Sequence, residues 1–336
     1  MILRHRARRR AGWSLVAASL ALHALTVVCH TRQPDALAAF LMVPLWGWGL
    51  LGLALASAAF VFLRANLSLV LSTIWLVTIL LGADEARVLA HFGKPLPVRQ
   101  SPAADPGRLA LRVASLNCAG FRHGNPGPDL AAWKPDVVLV QETDPHQLRL
   151  LNDDLYQGRG DYRSRGSCGI ITRWRITREV RNPWYPDQQV TIRLPGDLLV
   201  EVLNVHLQSA PADARLWRPD CWRNHRDARR SRRAELAVAL GVLDQTAPLA
   251  SRPAVLGGDF NSPAGDPVYR LLDPGFADAF ARAGRGWGNT YHRRLPLHRL
   301  DRVFATPDLS PLGATAVTLP ASDHRLVIAD FTMPAP

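Results

Sequence analysis

Cysteine is scarce in this sequence, and its spacing argues against a structural zinc site. The 336 residues include four cysteines, with no Cys-x-x-Cys pair and no histidine at a zinc-type spacing. One disulfide is possible if these residues lie outside the cytoplasm, because disulfides form in oxidising compartments. Its pairing does not follow from the sequence.

Lysine is nearly absent, so arginine supplies almost all of the positive charge. Lys94 and Lys134 are the two lysines among 40 basic residues, and the formal net charge is +12. Residues 1–100 hold ten Lys or Arg against three Asp or Glu, and residues 209–233 hold eight Arg against three Asp. Outside these two stretches the charges balance. The basic charge is therefore weak evidence for nucleic-acid binding. Much of it flanks the predicted membrane helices, where it sets their orientation, and the rest lies in one insertion, residues 209–233.

Charged residues are also rare in residues 13–83, which follow an arginine-rich start at residues 4–10. Three apolar runs follow that start, at residues 13–29, 36–63 and 67–83. A bilayer span needs about 20 apolar residues, so we predict a membrane segment over residues 1–93 with three transmembrane helices. A cleaved signal peptide is the alternative for the first run. The residues before Cys29 do not form a small-residue cleavage site, so we expect the run to be retained.

The distribution of arginine sets the expected orientation of this segment. Five arginines precede the first run, and Arg64 lies between the second and third runs. Positively charged flanks stay on the cytoplasmic side. With three spans, everything after Ala83 lies outside. We therefore expect a multi-pass protein of the cell (inner) membrane whose soluble domain is periplasmic or extracellular.

We predict that the rest of the chain, residues 94–336, forms a linker and one soluble domain. Residues 94–107 are rich in proline and predict an extended linker. Residues 108–336 alternate short apolar runs with turns, and one amphipathic helix is predicted at residues 229–243. Strands outnumber helices, and many connections are too short for a helical crossover. We therefore predict an α+β fold, a sandwich of mixed β-sheets, rather than a doubly wound parallel sheet.

The stretch from Gly257 to Ser262 is the most informative part of that domain. It follows a short apolar strand, and it places Asp259 and Asn261 two residues apart at the strand end. Residues two apart in a strand share a face, so both side chains could reach one cation or one phosphate group. A plain turn after a strand is the alternative.

Further polar residues stand at predicted strand ends or in adjoining loops. Each has an ordinary explanation when taken alone, such as a turn residue or a buried histidine. Their joint placement favours a site, because a scaffold presents functional groups from loops at strand ends. The full set is Asn117, Glu142, His206, Asp259, Asn261, Asp301, Asp323 and His324.

Six short motifs containing these residues occur in a recognisable order. They are Ser115-Leu116-Asn117, Gln141-Glu142-Thr143, Asn204-Val205-His206-Leu207, Gly258-Asp259-Phe260-Asn261, Leu300-Asp301-Arg302-Val303 and Ser322-Asp323-His324. Over residues 108–333 the chain resembles the endonuclease/exonuclease/phosphatase family. The resemblance implies a four-layer sandwich, with two mixed β-sheets flanked by helices, and metal-dependent phosphoesterase chemistry.

The resemblance also implies roles for the individual residues. Glu142 is the expected Mg²⁺ ligand, with Asn117 and Asp323 completing its shell, and Mn²⁺ is an alternative ion. Asp301 orients His324, which acts as general base or phosphate contact, and His206 is the second histidine. Asp259 and Asn261 orient the water and the phosphate. The phosphodiester substrate and the membrane are the expected partners, and no obligate protein partner is predicted.

Two features depart from the family pattern or leave the substrate open. Arg302 stands where an aromatic or other bulky residue is expected, which predicts an altered local floor of the site. Residues 209–233 interleave tryptophan with arginine, which suits a phosphate backbone, an anionic lipid surface or a solvated loop. A membrane-anchored nuclease is the leading interpretation, and a phospholipid or sphingomyelin-type phosphodiesterase or a phosphatase is the alternative. A catalytically silent ligand-binding membrane protein is the third.

Overall fold

A computed structural model describes residues 2–89, 108–181, 188–210, 215–246 and 252–334. The predicted linker at residues 94–107 lies outside the described residues. The chain forms two compact units, and the first comprises Met1–Ala90, Pro211–Asp227 and Pro263–Asp266. The second unit comprises the remaining segments, which carry the predicted site. Each unit is described by itself.

The first unit is built on apolar helices. Its helices are α1 (Ile2–Thr31), α2 (Leu45–Leu63), α3 (Asn66–Gly82) and α4 (Asp84–Leu89), with a 3₁₀ segment at Asp35–Met42. By length and composition, His5–Thr31 and Leu45–Leu63 could cross a membrane, whereas Asn66–Gly82 is shorter. The run predicted as one span over residues 36–63 is divided, because Pro44 caps α2. Proline lacks the N–H that a helix interior requires.

Small residues bring these helices together. Gly52 in α2 has no Cβ, and one placed there would lie 1.9 Å from the Trp75 ring of α3. Trp75 Nε1 donates to Ser19 Oγ at 3.0 Å, and Ser19 Oγ donates to the Gly52 carbonyl at 3.1 Å. Close approach at small residues, supported by polar bonds between helices, is typical of membrane helix bundles.

The second unit contains two six-stranded mixed sheets. The first has the order β11-β12-β1-β2-β4-β3, and the second has the order β5-β6-β7-β8-β10-β9. The β1–β2 and β7–β8 pairs are parallel, and the other pairs are antiparallel. The strands are β1 (Arg108–Asn117), β2 (Val137–Gln141), β3 (Asp161–Arg165), β4 (Cys168–Thr172), β5 (Arg175–Val180), β6 (Gln188–Arg193), β7 (Leu199–His206), β8 (Ala254–Asp259), β9 (Ala277–Asp278), β10 (Asp301–Ala305), β11 (Ser310–Thr318) and β12 (Arg325–Pro334).

Helices flank these sheets, which confirms the predicted fold class. They are α5 (Gly127–Ala131), α6 (Pro145–Tyr156), α7 (Pro219–Thr246) and α8 (Ala279–Ala283). Leu236, Ala239 and Leu243 of α7 pack on β7 and β8, and Leu148 and Leu151 of α6 pack on β1 and β2. Apolar stripes at helical spacing thus cover the outer faces of both sheets.

A buried polar bridge joins the two sheets where their inner faces meet. Asn204 of β7 is fully buried, and its Nδ2 donates to the carbonyls of Val140 and Gly169 in the other sheet, both at 2.8 Å. Asn204 Oδ1 accepts from Gln141 Nε2 at 2.6 Å. A buried amide with these partners fixes the two sheets in one registration.

Two further differences from the sequence-based expectations concern the insertion and the cysteines. The helix predicted to begin at Arg229 begins at Pro219, and its residues up to Asp227 belong to the first unit. Proline fits the first turn of a helix, where its missing N–H has no helical partner. The four cysteines are buried, and no disulfide joins any two of them in the described part of the chain.

Candidate active site

The pairing of the strands brings the predicted residues to one end of the two sheets. His206 and Asp301 each stand beside Asp259 in the second sheet, because β8 pairs with β7 on one side and with β10 on the other. In the first sheet Asn117 stands beside Gln141, the residue before Glu142. Residues that are far apart in sequence therefore meet because their strands end together.

Asn117 connects the acidic groups of the site. Its Nδ2 donates to Glu142 Oε1 and to Asp259 Oδ2, each at 3.0 Å. Its Oδ1 accepts from the backbone N–H of Ala119 at 2.9 Å, which fixes the orientation of the amide. Glu142 has a left-handed backbone with a φ of 52°, directly after β2. A strained backbone that turns a carboxylate toward the cluster is a feature of functional sites.

His324 and Asp301 form a buried pair beside this acidic group. His324 Nδ1 lies 2.8 Å from Asp301 Oδ2, and His324 Nε2 lies 3.9 Å from Asp259 Oδ2. An ionised Asp301 accepts a hydrogen bond, so it selects the tautomer that carries its proton on Nδ1 and turns Nε2 toward Asp259. The His324 backbone N–H donates to Ser322 Oγ, which in turn donates to the Asn117 carbonyl at 2.6 Å.

The carboxylates change the proton affinity of this pair. Burial of His324 lowers its pKa, but the charges of Asp301 and Asp259 outweigh burial and raise the pKa to about 10. Burial also raises the pKa of Asp301 above its usual range. The pair therefore holds a proton tightly when no other cation lies at the site.

His206 occupies the opposite side of the acidic group. Its Nε2 lies 4.0 Å from Glu142 Oε1 and 4.0 Å from Asp259 Oδ2. Its Nδ1 lies 3.1 Å from Ser167 Oγ, so the serine hydroxyl can orient the ring. The two predicted histidines thus approach Asp259 from different parts of the chain, His206 from the end of β7 and His324 from the residue before β12.

Asn261 and Gly258 form the turn that presents Asp259. The Asn261 N–H donates to Asp259 Oδ1 at 2.9 Å, and Asn261 Nδ2 donates to the Leu207 carbonyl at 2.9 Å. Gly258 has a φ of 137°, and a Cβ there would lie 2.0 Å from the Val205 carbonyl oxygen. Glycine is therefore required for β7 and β8 to lie this close.

Asp323 lies beside the cluster, and its carboxylate is not bonded to the predicted metal ligands. In the described part of the chain no hydrogen bond joins its carboxylate to Asn117 or Glu142. Its charge contributes to raising the pKa values of His324 and Tyr291. Its backbone carbonyl accepts from the Arg293 N–H at 2.7 Å. Asp323 is therefore close to the site, and its role as a metal ligand stays a prediction.

The donors at the site suit a hard divalent cation. Ligand atoms of Asp259, Asp301 and His324 lie within 4.8 Å of one another, a different grouping from the predicted ligands. Among the described residues, the buried Asp301 Oδ1 has no hydrogen-bond partner. Arg122 contacts Glu142 at 3.5 Å, but its side chain is 68% exposed. The clustered carboxylate oxygens of Asp259, Asp301 and Glu142 are the kind of ligand that suits Mg²⁺ or Mn²⁺.

Several residues at the site carry no signal in the sequence. Thr290 Oγ1 accepts from the Asp301 N–H at 3.1 Å, and the Tyr291 ring centroid lies 4.9 Å from that of His324. Ser167 and Arg122 also border the cluster. All four residues lie in loops or irregular segments, and their residue types are common in solvent-exposed turns, so local pattern does not distinguish them.

Arg302 does not form the floor of the site, contrary to the expectation from its sequence. Successive strand residues point to opposite faces, so Arg302 turns away from the face that carries Asp301. Its Nη1 donates to Asp278 Oδ2 at 2.8 Å, and its guanidinium lies 4.1 Å from the Tyr269 ring centroid. Burial disfavours the charge of Asp278, but Arg299 and Arg302 lower its pKa below the usual range.

The fold and the site together define a two-sheet α/β sandwich with acidic residues and two histidines at one end of the sheets. Residues 114–324 match the Endonuclease/Exonuclease/phosphatase family. The chain belongs to this family, whose members are phosphoesterases. No curated protein matches the chain by sequence.

Solved structures with the same fold cover about two thirds of this chain. An endonuclease/exonuclease/phosphatase from Bacteroides vulgatus is 17% identical with a TM-score of 0.53, and the match covers 67% of this chain and 99% of that one. A mannosyl-6-phosphatase from Bacteroides thetaiotaomicron is 18% identical with a TM-score of 0.51, covering 66% and 99%. A humanized TDP2 from D. rerio is 17% identical with a TM-score of 0.51, covering 66% and 98%. At these identities the likeness shows the fold alone.

Proposed function

We propose that this protein is a membrane-anchored, divalent-metal-dependent phosphodiesterase. The observation that carries the proposal is the convergence of the His324–Asp301 pair, the carboxylates of Glu142 and Asp259, and the Asn117 amide at one point. Hydrolysis of a phosphodiester requires neutralisation of the phosphoryl charge, an activated water and a stabilised leaving oxygen. This set of residues can meet all three requirements.

Glu142 would hold the metal ion, with Asp323 nearby, as the sequence predicts. Asn117, the third predicted ligand, turns its Nδ2 rather than its Oδ1 toward the carboxylates and would position Glu142. A bound Mg²⁺ or Mn²⁺ supplies charge neutralisation at the phosphoryl group. Asn117 is shared between Glu142 and Asp259, so it keeps the two carboxylates apart and correctly turned.

The two histidines and the Asp259 turn would handle the phosphate and the protons. His324, oriented by Asp301, either accepts a proton at Nε2 or donates from it to a phosphoryl oxygen. His206 approaches from β7 and can donate to another phosphoryl oxygen or to the leaving group. Asp259, with Asn261 bonded to it, lies between both imidazoles and can orient the attacking water.

Membrane anchoring is the second part of the proposal, and it rests on α1, α2 and α3. Arg8 Nη2 donates to the Val61 carbonyl at 2.7 Å, so the arginine-rich start lies beside the end of α2 that precedes Arg64. All of this positive charge gathers at one end of the helices. The positive-inside rule then places the opposite end, where α1 finishes at Thr31, in the periplasm or outside the cell.

A nucleic acid is the substrate class that the sequence favours, and a phospholipid headgroup diester is the class that the structure favours. The preference for nucleic acid drew on the arginines of the insertion, but Pro211–Asp227 belongs to the same compact unit as the apolar helices. That observation favours the lipid candidate. A silent binding protein is the weakest candidate, because none of the predicted catalytic residues has been replaced.

The test is metal-dependent hydrolysis by the full chain in lipid nanodiscs, using plasmid DNA and phosphatidylglycerol as separate substrates. His324→Ala should lower turnover by about 10² to 10⁴ with either substrate, the range for a positioned acid-base group. Arg149→Ala, in an exposed position of α6, is the matched control and should leave turnover unchanged. Failure of both substrates with folded protein would support the silent candidate, and full activity of His324→Ala would refute the assignment of the pair.

A further inference from the structure

The segment Arg215–Asp227, termed here the Arg-Trp segment, is integrated with the helices of the first unit. The side chain of Trp222 packs against the cluster formed by Cys29, Phe40 and Leu41, to which Trp48 also contributes. Trp222 Nε1 donates to the Leu216 carbonyl at 2.8 Å, which holds the start of the segment against this anchor. The Arg-Trp segment is therefore attached at the end of the helices where α1 finishes.

A second short segment packs at the same end. Gly265, in Pro263–Asp266, lies so close that a Cβ there would be 3.1 Å from His30 Nδ1 and 3.3 Å from Leu41. His30 is in the last turn of α1, and Leu41 is in the 3₁₀ segment before α2. If α1 and α2 cross a bilayer, both segments lie at the level of its headgroups.

The outer surface of the Arg-Trp segment combines an aromatic ring with arginines. Trp217 is 79% exposed, the largest exposure among the large apolar side chains described. Arg215, Arg218 and Arg223 are also exposed. Arg218 and Arg223 share one carboxylate, that of Asp220, so the segment keeps an excess of positive charge, with four arginines against two aspartates.

We propose that the Arg-Trp segment binds the headgroups of anionic phospholipids on the bilayer face where α1 ends. Tryptophan is enriched at membrane interfaces because its ring is apolar and its N–H is polar. Arginines near a lipid surface are attracted to anionic headgroups. The packing of Trp222 against the helices favours lipid over nucleic acid, since it holds the segment beside the bilayer. The proposal rests on the proposed membrane anchoring and is independent of the catalytic assignment.

The test places a nitroxide label at Trp217→Cys in the full chain, since the four native cysteines are buried. Collisions of the label with a water-soluble nickel complex are measured in nanodiscs of phosphatidylcholine, with and without phosphatidylglycerol. We expect collisions at position 217 to fall when phosphatidylglycerol is present. A label at Leu312→Cys, an exposed position of β11, should show no change. A label at Leu76→Cys in α3 reports separately whether the helices lie in the bilayer.

The contribution of the arginine charges is tested by a triple variant that neutralises them, Arg215→Gln, Arg218→Gln and Arg223→Gln, with the same label. Its response to phosphatidylglycerol should be lost, whereas Arg149→Gln, Arg159→Gln and Arg175→Gln together should retain it. If the label at position 217 stays as accessible as that at position 312 in both bilayers, while position 76 is protected, the proposal is wrong although anchoring holds. Protection of position 217 by DNA and not by phosphatidylglycerol would also overturn it.

Discussion

His324 shows how single side chains at this site depend on their neighbours. It is buried between two carboxylates, and the Ser322 hydroxyl ties its backbone to the carbonyl of Asn117. The same carboxylates that fix the ring also make it a stronger base. A cation at the site would compete with this imidazolium for the same negative charge.

The raised pKa of His324 predicts a pH effect in protein stripped of metal by a chelator. The pKa is raised above the ordinary 6.5, so the stabilisation is fully present below about 6.5 and is lost as the pH rises through about 10. The His324 ring signal in an NMR titration should therefore move near pH 10, and added Mg²⁺ should shift its midpoint downward. In His324→Gln the stability difference between neutral and alkaline pH should shrink. A ring that titrates near its ordinary value without metal would contradict this.

Substitution of Glu142 should change the Mg²⁺ concentration that the enzyme requires. Its Oε1 accepts from Asn117, and its side chain is 36% exposed, so it can reach an ion that keeps several waters. Glu142→Gln removes the charge and keeps the shape, so the Mg²⁺ concentration that gives half-maximal activity should rise by roughly tenfold or more, as when a metal-site partner is lost. Asp129→Asn, in α5, is the matched control. An unchanged Mg²⁺ titration would remove Glu142 from the ligand set.

At the scale of elements, the close pairing of β7 with β8 sets the position of both His206 and Asp259. Gly258 permits it, because any Cβ would meet the Val205 carbonyl. Gly241 in α7 is a contrasting case, since no described atom outside the adjacent backbone of its own helix lies within 4 Å of a Cβ placed there.

Replacing these two glycines with alanine should have opposite effects on the stability of the fold. Gly258→Ala should destabilise the protein and lower activity, because the steric clash adds to a φ of 137°. Gly241→Ala should stabilise it by about 0.5–1 kcal/mol, the propensity difference inside a helix. Thermal unfolding in detergent, with activity measured in parallel, checks both. Equal effects of the two substitutions would mean that the close approach at Gly258 is not needed.

The sequence predicts the buried strands well because their apolar runs are unbroken. It does not predict three edge strands. Asp161–Arg165 (β3) and Arg175–Val180 (β5) are polar, and Ala277–Asp278 (β9) has only two residues. The early start of α7 is also missed, because Trp222 packs on residues from the N-terminal helices, nearly two hundred positions earlier. Ser167 and Thr290 are found only when the strands place them beside His206 and Asp301.

At the scale of the whole molecule, the two units are interleaved in sequence. The first unit takes up Pro211–Asp227 and Pro263–Asp266, and each of these follows a strand that carries site residues. A cut at the predicted linker would therefore remove the helices but leave both short segments on the soluble part. Phe40, Leu41 and Trp48 would no longer cover Trp222.

This interleaving predicts that a chain beginning at residue 105 loses order in the Arg-Trp segment. Without its apolar partners the first turns of α7 should fray, because short helical stretches are marginal when their packing is removed. Trypsin should then cut after Arg223 and Arg226 much faster in the truncated chain than in the full chain in nanodiscs. Arg149 serves as the internal control, since its helix, α6, packs within the second unit. Equal protection of Arg223 in both proteins would show that the segment is ordered without the helices. Its packing against them would then be incidental to its fold.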